Sequence, residues 1–281
     1  MTLTQTRNGA AVDVAPATAP RSQPAAPALF QAENISISFG GIRAVDGVTF
    51  DVAQGEIFAI VGPNGAGKST IFNLISRIYQ PTGGRLMFKG EDITNVAAHT
   101  IARRGIARTF QNIELFEHAT VLDNLLIGRH CRAKPNIFAE MLFTGGVRRR
   151  ELEHREAVEE VIDFLDLANY RDQRISGLPY GVRKVVELAR ALCAKPKLLL
   201  LDEPASGLNT EETEEVAFWI DDIKNDLGIT VIMIEHDMSL VSAVSDRVLA
   251  LNHGRMLALG TPGEVQSNPA VIEAYLGGEA P

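Results

Sequence analysis

The segment Gly62–Ser69 constrains the fold of this 281-residue chain more than any other part of it. Its sequence, GPNGAGKS, matches the pattern GxxxxGK[ST]. The apolar run Ile57–Val61 comes directly before it and has the pattern of a strand that is buried on both faces. Apolar residues then recur at helical spacing, at Ile71, Leu74, Ile75 and Ile78. A strand, a glycine-rich loop and a helix in this order predict an α/β fold with a phosphate-binding turn.

The residue types of this loop suit a chain of phosphates. Glycines let the backbone wrap closely, and the amides of the loop and of the following helix would point at phosphate oxygens. Lys68 would bridge the β- and γ-phosphates, and the Ser69 hydroxyl would hold Mg²⁺. The alternative is a glycine turn with a surface lysine. The predicted phosphate-binding residues are Gly62, Pro63, Asn64, Gly65, Ala66, Gly67, Lys68, Ser69 and Thr70.

A second signal lies where the leucine run Leu198–Leu201 ends in Asp202, Glu203 and Pro204. A buried strand would deliver Asp202 to its carboxyl end, where ligands sit in open α/β sheets. Asp202 could then hold Mg²⁺ directly or through water. Glu203 would reach past the metal and act as a base on a water molecule beside the γ-phosphate. The alternative is a pair of helix N-terminal carboxylates that follow a core strand.

Apolar runs alternate with helical segments in the second half of the chain. Thr230–Ile234 has the pattern of another buried strand. Val248–Leu251 and Met256–Leu259 flank Asn252-His253-Gly254 and predict a hairpin. Buried strands that alternate with helices indicate an α/β fold with a mostly parallel sheet.

The first half of the chain predicts three further segments. Apolar residues alternate with polar ones at Ile35, Ile37 and Phe39, and Val48–Val52 predicts a second strand. The stretch Asn112–Leu178 favours helices. Residues 1–28 are rich in Ala, Pro, Thr and Gln and predict a disordered tail, so the ordered part is expected to begin near Leu29.

Composition excludes several classes of protein. The net charge is −8 and the sequence pI is about 5.3, which argues against a protein that tracks nucleic-acid phosphates. The two cysteines, Cys131 and Cys193, form no disulfide framework, as expected in a reducing cytosol. No apolar run approaches the roughly 20 residues of a membrane span. A role at a membrane would therefore come through a partner.

The order of these motifs resembles that of ATP-binding cassette (ABC) ATPases over about residues 29–281. The features that carry the resemblance are Phe39, Gly62–Ser69, Gln111 in Arg108-Thr109-Phe110-Gln111-Asn112, Leu178–Val182, Asp202-Glu203, Ser206–Asn209 and His236. The resemblance implies a P-loop NTPase (RecA-like) core with a mostly parallel sheet and an antiparallel β subdomain. It also implies a helical subdomain at about residues 112–181.

Within these ATPases the chain looks most like the ATPase subunits of branched-chain amino-acid uptake systems. The stretches that carry this likeness are Phe39–Val45, Ala107–Asn112, Glu235–Met238 and Asn268–Gly277. The likeness implies an ATP-hydrolysing subunit that powers an importer of branched-chain amino acids or related small polar solutes. ATP and Mg²⁺ are the implied cofactors.

The resemblance also implies roles for residues that spacing alone leaves unassigned. Phe39 would stack on adenine, and Gln111 would contact Mg²⁺ and the attacking water. His236 would contact the γ-phosphate and steady Glu203, so that the implied catalytic residues are Glu203, His236 and Lys68. The implied metal ligands are Ser69, Gln111 and Asp202, and Gly181 would contact the ATP of a second cassette.

The signature segment departs from the Leu-Ser-Gly-Gly-Gln of the superfamily, because this chain has Leu178-Pro179-Tyr180-Gly181-Val182. The serine hydroxyl is missing, and Pro179 has no N–H group. Gly181 and the N-terminus of the helix that follows remain for backbone and dipole contacts with a phosphate. Asn209 stands where many cassettes have aspartate.

The implied assembly has two cassettes that close head to tail around two ATP molecules. In the resembled family the cassettes are usually different chains, although a homodimer is also open. Two transmembrane permease subunits and an external solute-binding protein complete the system, which would place this chain at the cytoplasmic face of the inner membrane. The alternatives are a non-transport cassette ATPase that acts on nucleic acid or the ribosome, and a non-hydrolysing scaffold.

Overall fold

A computed structural model describes residues 28–130 and 145–276. The predicted tail lies outside these residues, except that the first strand already includes Ala28. The strands of the described part are β1 (Ala28–Phe39), β2 (Ile42–Ala53), β3 (Ile57–Val61), β4 (Gly83–Phe88), β5 (Glu91–Asp92), β6 (Ile106–Arg108), β7 (Leu198–Asp202), β8 (Thr230–Ile234), β9 (Arg247–Asn252) and β10 (Arg255–Gly260).

The helices of the described part are mostly short. They are α1 (Lys68–Ile75), α2 (Ile101–Arg104), α3 (Val121–Arg129), α4 (Gly145–Phe164), α5 (Tyr180–Cys193), α6 (Thr210–Asn225), α7 (Met238–Val244), α8 (Pro262–Gln266) and α9 (Pro269–Leu276), with 3-10 turns at Ala98–Thr100, Ala168–Tyr170 and Ile175–Gly177. Within residues 28–130 and 145–276, no helix has the length and apolar character that crossing a bilayer requires.

The larger sheet has six strands in the order β10-β9-β3-β8-β7-β6. Its five strands from β9 to β6 run parallel, and β10 joins the edge as the antiparallel arm of a hairpin with β9. Every residue of β3, β7 and β8 is buried, as their unbroken apolar runs predict. The predicted α/β class with a mostly parallel sheet is confirmed.

The carboxyl ends of these parallel strands meet at one edge of the sheet, which is where open α/β sheets bind ligands. β3 leads into the phosphate loop at Gly62, and β7 ends at Asp202. Glu235 and His236 follow the end of β8, and Thr109 follows β6. The sheet order therefore gathers at one edge several segments that lie far apart in the sequence.

A second sheet is antiparallel, with the order β2-β1-β4-β5. Alternate residues of β1, such as Ile35 and Ile37, face the core, as their spacing predicts. Together with β3 and α1, the inner face of this sheet forms one of the two apolar cores. The other core lies on the opposite face of the large sheet and includes the apolar faces of α4, α5 and α6.

The segment between β6 and α5 is largely helical in its described part, with α3 and α4 as the main helices. Val158, Val161, Ile162 and Leu165 are buried against α3 and α5, as their helical spacing predicts. Residues 131–144 lie outside the described part, so the bounds of the helical subdomain at about 112–181 stay a prediction.

The apolar spacing wrongly predicts that the buried face of helix α1 extends to Ile78. Helix α1 ends at Ile75, two residues before Arg77 takes a left-handed backbone conformation with φ of 62°. Ile78 therefore lies beyond the helix and is 51 % exposed instead of continuing its buried face. The spacing of apolar residues does not show where a helix ends. It therefore could not predict the left-handed residue Arg77, which stops the helix before Ile78.

Candidate nucleotide-binding site

Two glycines of the phosphate loop stand where a side chain has no room. A Cβ atom on Gly62 would lie 2.3 Å from the Leu251 carbonyl oxygen, and one on Gly67 would lie 2.5 Å from the Ala44 carbonyl oxygen. Both residues also have positive φ, at 147° and 101°. The loop is thus pressed against backbone on two sides, which only glycine permits.

Lys68 opens helix α1 at the mouth of this loop and is 7 % exposed. Its Nζ donates hydrogen bonds to the carbonyl oxygens of Gly62 and Pro63, at 2.7 and 3.1 Å. Burial lowers the pKa of Lys68, while the carboxylates of Glu203 and Asp202 oppose the shift. No side chain in the described part of the protein caps the N-terminus of α1, so the amides of its first turn are available to an anion.

The loop forms one wall of an open cleft with a volume of about 310 Å³. Gln111 and Glu203 lie on the same cleft as the loop, although they are separated from it by 42 or more positions in the sequence. The residues that line the cleft are Ala44, Asn64, Gly65, Ala66, Gly67, Lys68, Ser69, Thr70, Gln111 and Glu203. Most of the residues predicted to bind phosphate or to act on water are therefore brought together.

Gln111 and Glu203 contact each other directly. Nε2 of Gln111 donates a hydrogen bond of 2.9 Å to Oε2 of Glu203. Glu203 has a φ of 50°, a left-handed conformation that is uncommon for a residue with a side chain. Strained residues of this kind cluster at functional sites, and here the conformation follows directly on the end of β7.

Asp202 lies just behind Glu203 and is 4 % exposed. Burial raises the pKa of this carboxyl, and the hydrogen bond from Arg108 opposes the shift. Arg108 was not among the predicted site residues, although it stands in the stretch that carries the family resemblance. Its Nη2 donates a 2.9 Å hydrogen bond to Oδ2 of Asp202.

Magnesium ions prefer oxygen ligands, and the predicted set consists of a hydroxyl, a carboxylate and an amide. Ser69 lies on the cleft, whereas Asp202 is buried directly before Glu203 and is not among the residues that line it; among the described residues no hydrogen bond engages Oδ1 of Asp202. These residues fit a Mg²⁺ ion that takes its other ligands from phosphate and water. Their assignment as metal ligands stays a prediction.

His236 is in large part exposed and is not among the residues that line the cleft. Its neighbour Glu235 is fully buried and was not predicted to have a role. Glu235 accepts hydrogen bonds from the backbone N–H groups of Ala205 and His236, at 2.9 and 3.0 Å. It therefore ties the segment after β7 to the segment after β8.

Phe39 ends β1 and keeps 43 % of its surface exposed. Its ring lies 5.0 Å from that of Tyr79 in an edge-to-face arrangement. Exposed aromatic rings of this kind can stack on a planar base. Phe39 is not among the residues that line the cleft, so its predicted contact with adenine stays a prediction.

The signature segment leads into α5, with Pro179 at the N-cap. The Tyr180 hydroxyl donates a 3.3 Å hydrogen bond to the Ser206 carbonyl oxygen, and the Tyr180 ring packs against Gly207. Gly181 faces the Glu212 side chain instead of the cleft of its own chain. The predicted contact of Gly181 with the ATP of a second cassette therefore stays a prediction.

Three charged residues on α5 reach the segments that carry Glu203 and Gln111. Nζ of the buried Lys184 donates to the Glu203 carbonyl oxygen at 3.2 Å. Glu187 accepts a 3.1 Å hydrogen bond from the Phe110 N–H group, next to Gln111, and burial raises the pKa of Glu187. Arg190 donates to the Glu114 carbonyl oxygen at 2.5 Å.

Comparison with protein families agrees with this fold. Residues 45–206 match a family described as ABC transporter. Residues 255–281 match one described as branched-chain amino acid ATP-binding cassette transporter. The chain belongs to the ABC transporter family of ATP-binding cassettes. The predictions of the family, the fold class and an ATP-hydrolysing transport subunit are confirmed.

Curated relatives give the same result along almost their whole length. The chain is 39 % identical to the high-affinity branched-chain amino acid transport ATP-binding protein BraF of Pseudomonas aeruginosa over 249 residues, which is 89 % of this chain and 98 % of BraF. It has the same identity and coverage with LivG of Escherichia coli K12. A probable LivG of Archaeoglobus fulgidus is 34 % identical over 254 residues, or 89 % of this chain and 96 % of that relative.

Solved structures of ATP-binding cassettes superpose on this chain. A nucleotide-free cassette from an ABC transporter gives a TM-score of 0.77 at 32 % identity, covering 88 % of this chain and 98 % of the other. The ADP conformation of the cassette MJ1267 gives a TM-score of 0.78 at 33 % identity, covering 89 % and 99 %.

Proposed function

We propose that this chain is the ATP-hydrolysing subunit of an importer for branched-chain amino acids or related small polar solutes. The observation that carries the proposal is the cleft in which the phosphate loop faces the hydrogen-bonded pair of Gln111 and Glu203. A nucleotide site of this kind supplies the energy, and the names of the relatives supply the solute class.

The chemistry of the site follows from where charge develops. Phosphoryl transfer depends mainly on positioning and on stabilising the charge of the phosphate oxygens. Loop amides and the Lys68 ammonium would hold the β- and γ-phosphates, in place of the Gly62 and Pro63 carbonyl oxygens that Lys68 now contacts. Bound Mg²⁺, held by Ser69, Asp202 and Gln111, would neutralise further phosphate charge.

Glu203 would accept the proton of the attacking water. The amide of Gln111 donates to one of its carboxylate oxygens, Oε2, and the other oxygen would face the water. His236 would contact the γ-phosphate and steady Glu203 from the end of β8. Phe39 would stack on the adenine ring, and its exposed surface is consistent with that role.

A second cassette would complete each site, and this is consistent with the signature residue Gly181, which does not line the cleft of its own chain. Its helix N-terminus would meet the γ-phosphate that the other cassette holds. We propose a heterodimer, since the cassettes of the resembled systems are usually different chains, with a homodimer as the alternative. Residues 29–281 would form this cassette domain, with residues 1–28 as a tail.

Two transmembrane permease subunits would anchor the cassette pair at the cytoplasmic face of the inner membrane. An external solute-binding protein would deliver the solute to them. The net charge of −8 disfavours the alternative of a cassette ATPase that acts on nucleic acid or the ribosome. The family match at residues 255–281, named for branched-chain amino acids, favours the importer.

The test is uptake of labelled leucine, isoleucine and valine by vesicles that contain this chain with the cassette, permease and solute-binding proteins encoded beside it. Uptake should require ATP and should fall roughly 10²–10⁴-fold in Glu203→Gln, the range for loss of a general base. ATP binding should persist in that variant. A matched control, Glu214→Gln, changes an exposed carboxylate on α6 and should leave uptake unchanged.

ATP-dependent uptake of another small polar solute would change the assigned solute. The assignment of the chain as the ATP-hydrolysing subunit of an importer would stand. Near-normal turnover in Glu203→Gln would remove the assignment of the base. ATPase activity that responds to RNA, DNA or ribosomes, and not to the permease, would support the non-transport alternative.

A further inference from the structure

We infer that Arg108 is a positioning residue for the metal site: it holds one carboxylate oxygen of Asp202 so that the other is presented to Mg²⁺. The inference rests on the proposed function, because it assumes that Asp202 is a metal ligand. Its own basis is a buried ion pair that links Asp202 to helix α1.

The ion pair forms because β6 and β7 are parallel neighbours. Arg108, the last residue of β6, pairs with Leu200, which places its side chain alongside the end of β7. Nη2 of Arg108 lies 2.9 Å from Oδ2 of Asp202, and the two side chains are 9 % and 5 % exposed. Within residues 28–130 and 145–276, no hydrogen bond engages Oδ1, which stays available as a ligand.

The guanidinium is itself fixed from the side of α1. Nη1 donates to Oδ1 of Asn73 at 2.7 Å and to Oγ of Ser76 at 3.0 Å. The rings of Phe72 and Phe110 lie 5.5 and 5.1 Å from the guanidinium carbon. These contacts leave the planar group little freedom, so the position of Oδ2 is set by α1.

Helix α1 also carries Ser69, the other proposed ligand from the phosphate loop side. Arg108 therefore connects the element that bears Ser69 with the strand that bears Asp202. A metal ion that takes one oxygen from each needs the two oxygens at a fixed separation, because Mg²⁺ demands near-ideal octahedral geometry. The connection through Arg108 supplies that fixed separation.

Arginine suits this place better than lysine. Its planar fork presents two separate nitrogen atoms, one to Asp202 and one to Asn73 and Ser76. A lysine ammonium keeps a positive charge beside the buried carboxylate. It cannot present two separate nitrogen atoms, in one rigid plane, to Asp202 and to Asn73 and Ser76. Arg108→Lys should therefore preserve the fold and loosen the carboxylate.

The experiment compares Arg108→Lys and Arg108→Gln with the wild-type full-length chain. A fluorescent ATP titration in EDTA measures nucleotide affinity without metal, and electron paramagnetic resonance measures Mn²⁺ binding in the presence of ATP. The matched control is Arg104→Lys, which alters an ion pair with Glu91 at 2.7 Å on the exposed surface. Asp202→Asn serves as the reference for loss of the metal ligand.

We expect Arg108→Lys to raise the Mn²⁺ concentration at half-saturation at least tenfold, while the ATP affinity in EDTA stays within twofold of the wild type. Arg108→Gln should lose more metal affinity, and Arg104→Lys should change neither quantity. If Arg108→Gln does not fold, the lysine variant decides the question.

Unchanged Mn²⁺ binding in Arg108→Lys would overturn the inference and leave the proposed function in place. An equal loss of ATP affinity in EDTA and of Mn²⁺ affinity would also overturn it, because a structural role alone produces that result. Failure of the wild-type chain to bind ATP at all would instead refute the proposed function.

Discussion

Replacing Gly67 by alanine tests whether the phosphate loop is closed against β2 as the structure has it. The new Cβ atom would lie 2.5 Å from the Ala44 carbonyl oxygen and 3.4 Å from Cα of Gly254. Both neighbours are backbone atoms and cannot rotate away. β2 and the turn at Gly254 would both have to move away from the phosphate loop. This movement would strain the hydrogen bond of 2.9 Å that the Gly254 N–H group donates to the Ala66 carbonyl oxygen.

The free energy of unfolding that Gly67→Ala would lose has two parts. A left-handed conformation costs a residue with a side chain about 1–3 kcal/mol, and this part applies to any alanine in the loop with such a φ. Overpacking against fixed atoms adds about 1–3 kcal/mol. Gly65 has a φ of 79°, but a Cβ there would meet no atom of the described residues within 4 Å. Gly65→Ala is therefore the matched control that isolates the second part.

Thermal unfolding of the two variants measures the difference. Gly67→Ala should melt below Gly65→Ala by roughly 2–12 °C, since 1 kcal/mol corresponds to about 2–4 °C for a large domain. ATP affinity, measured by fluorescence titration, should also be lower in Gly67→Ala, because its loop amides must move. Equal melting temperatures would refute the close contact between the loop and Ala44.

Two further outcomes are expected. Lys68→Ala should weaken ATP binding itself, because the ammonium is buried at the mouth of the loop; unchanged affinity in a fluorescent-ATP titration would contradict its role. In a Cys131→Ser background, Cys193 should not react with a thiol reagent at pH 8 until the chain unfolds, since burial raises the pKa of its thiol to about 12; rapid reaction of the folded protein, compared with the same chain in denaturant, would show that α5 is less closely packed than described.

The sequence predicted the parts of the site whose residues are adjacent in the chain and follow a recognisable pattern. The phosphate loop and the Asp202-Glu203 pair each follow an unbroken apolar run, and a strand buried on both faces has few other forms. The loop and the pair could be assigned to one site because parallel strands end at the same edge of a sheet.

The contacts between these parts could not be predicted in the same way. β6 has only three residues, too few for a periodic signal, yet its place beside β7 brings Arg108 to Asp202 across 94 positions. The hydrogen bond between Gln111 and Glu203 spans 92 positions and depends on the same strand order. The sequence assigns no role to Glu235, because a single carboxylate after a strand carries no pattern; only the structure shows its burial and its backbone partners.

Helix α5 has one property that bears on how the nucleotide cleft responds to a change elsewhere in the molecule. Lys184, Glu187 and Arg190 stand three residues apart, and each makes a hydrogen bond to the backbone of a segment that carries Glu203 or Gln111. The span from the first to the third is about 9 Å of helix. A force applied to the start of α5 would therefore be transmitted through these hydrogen bonds to the segments that carry Gln111 and Glu203.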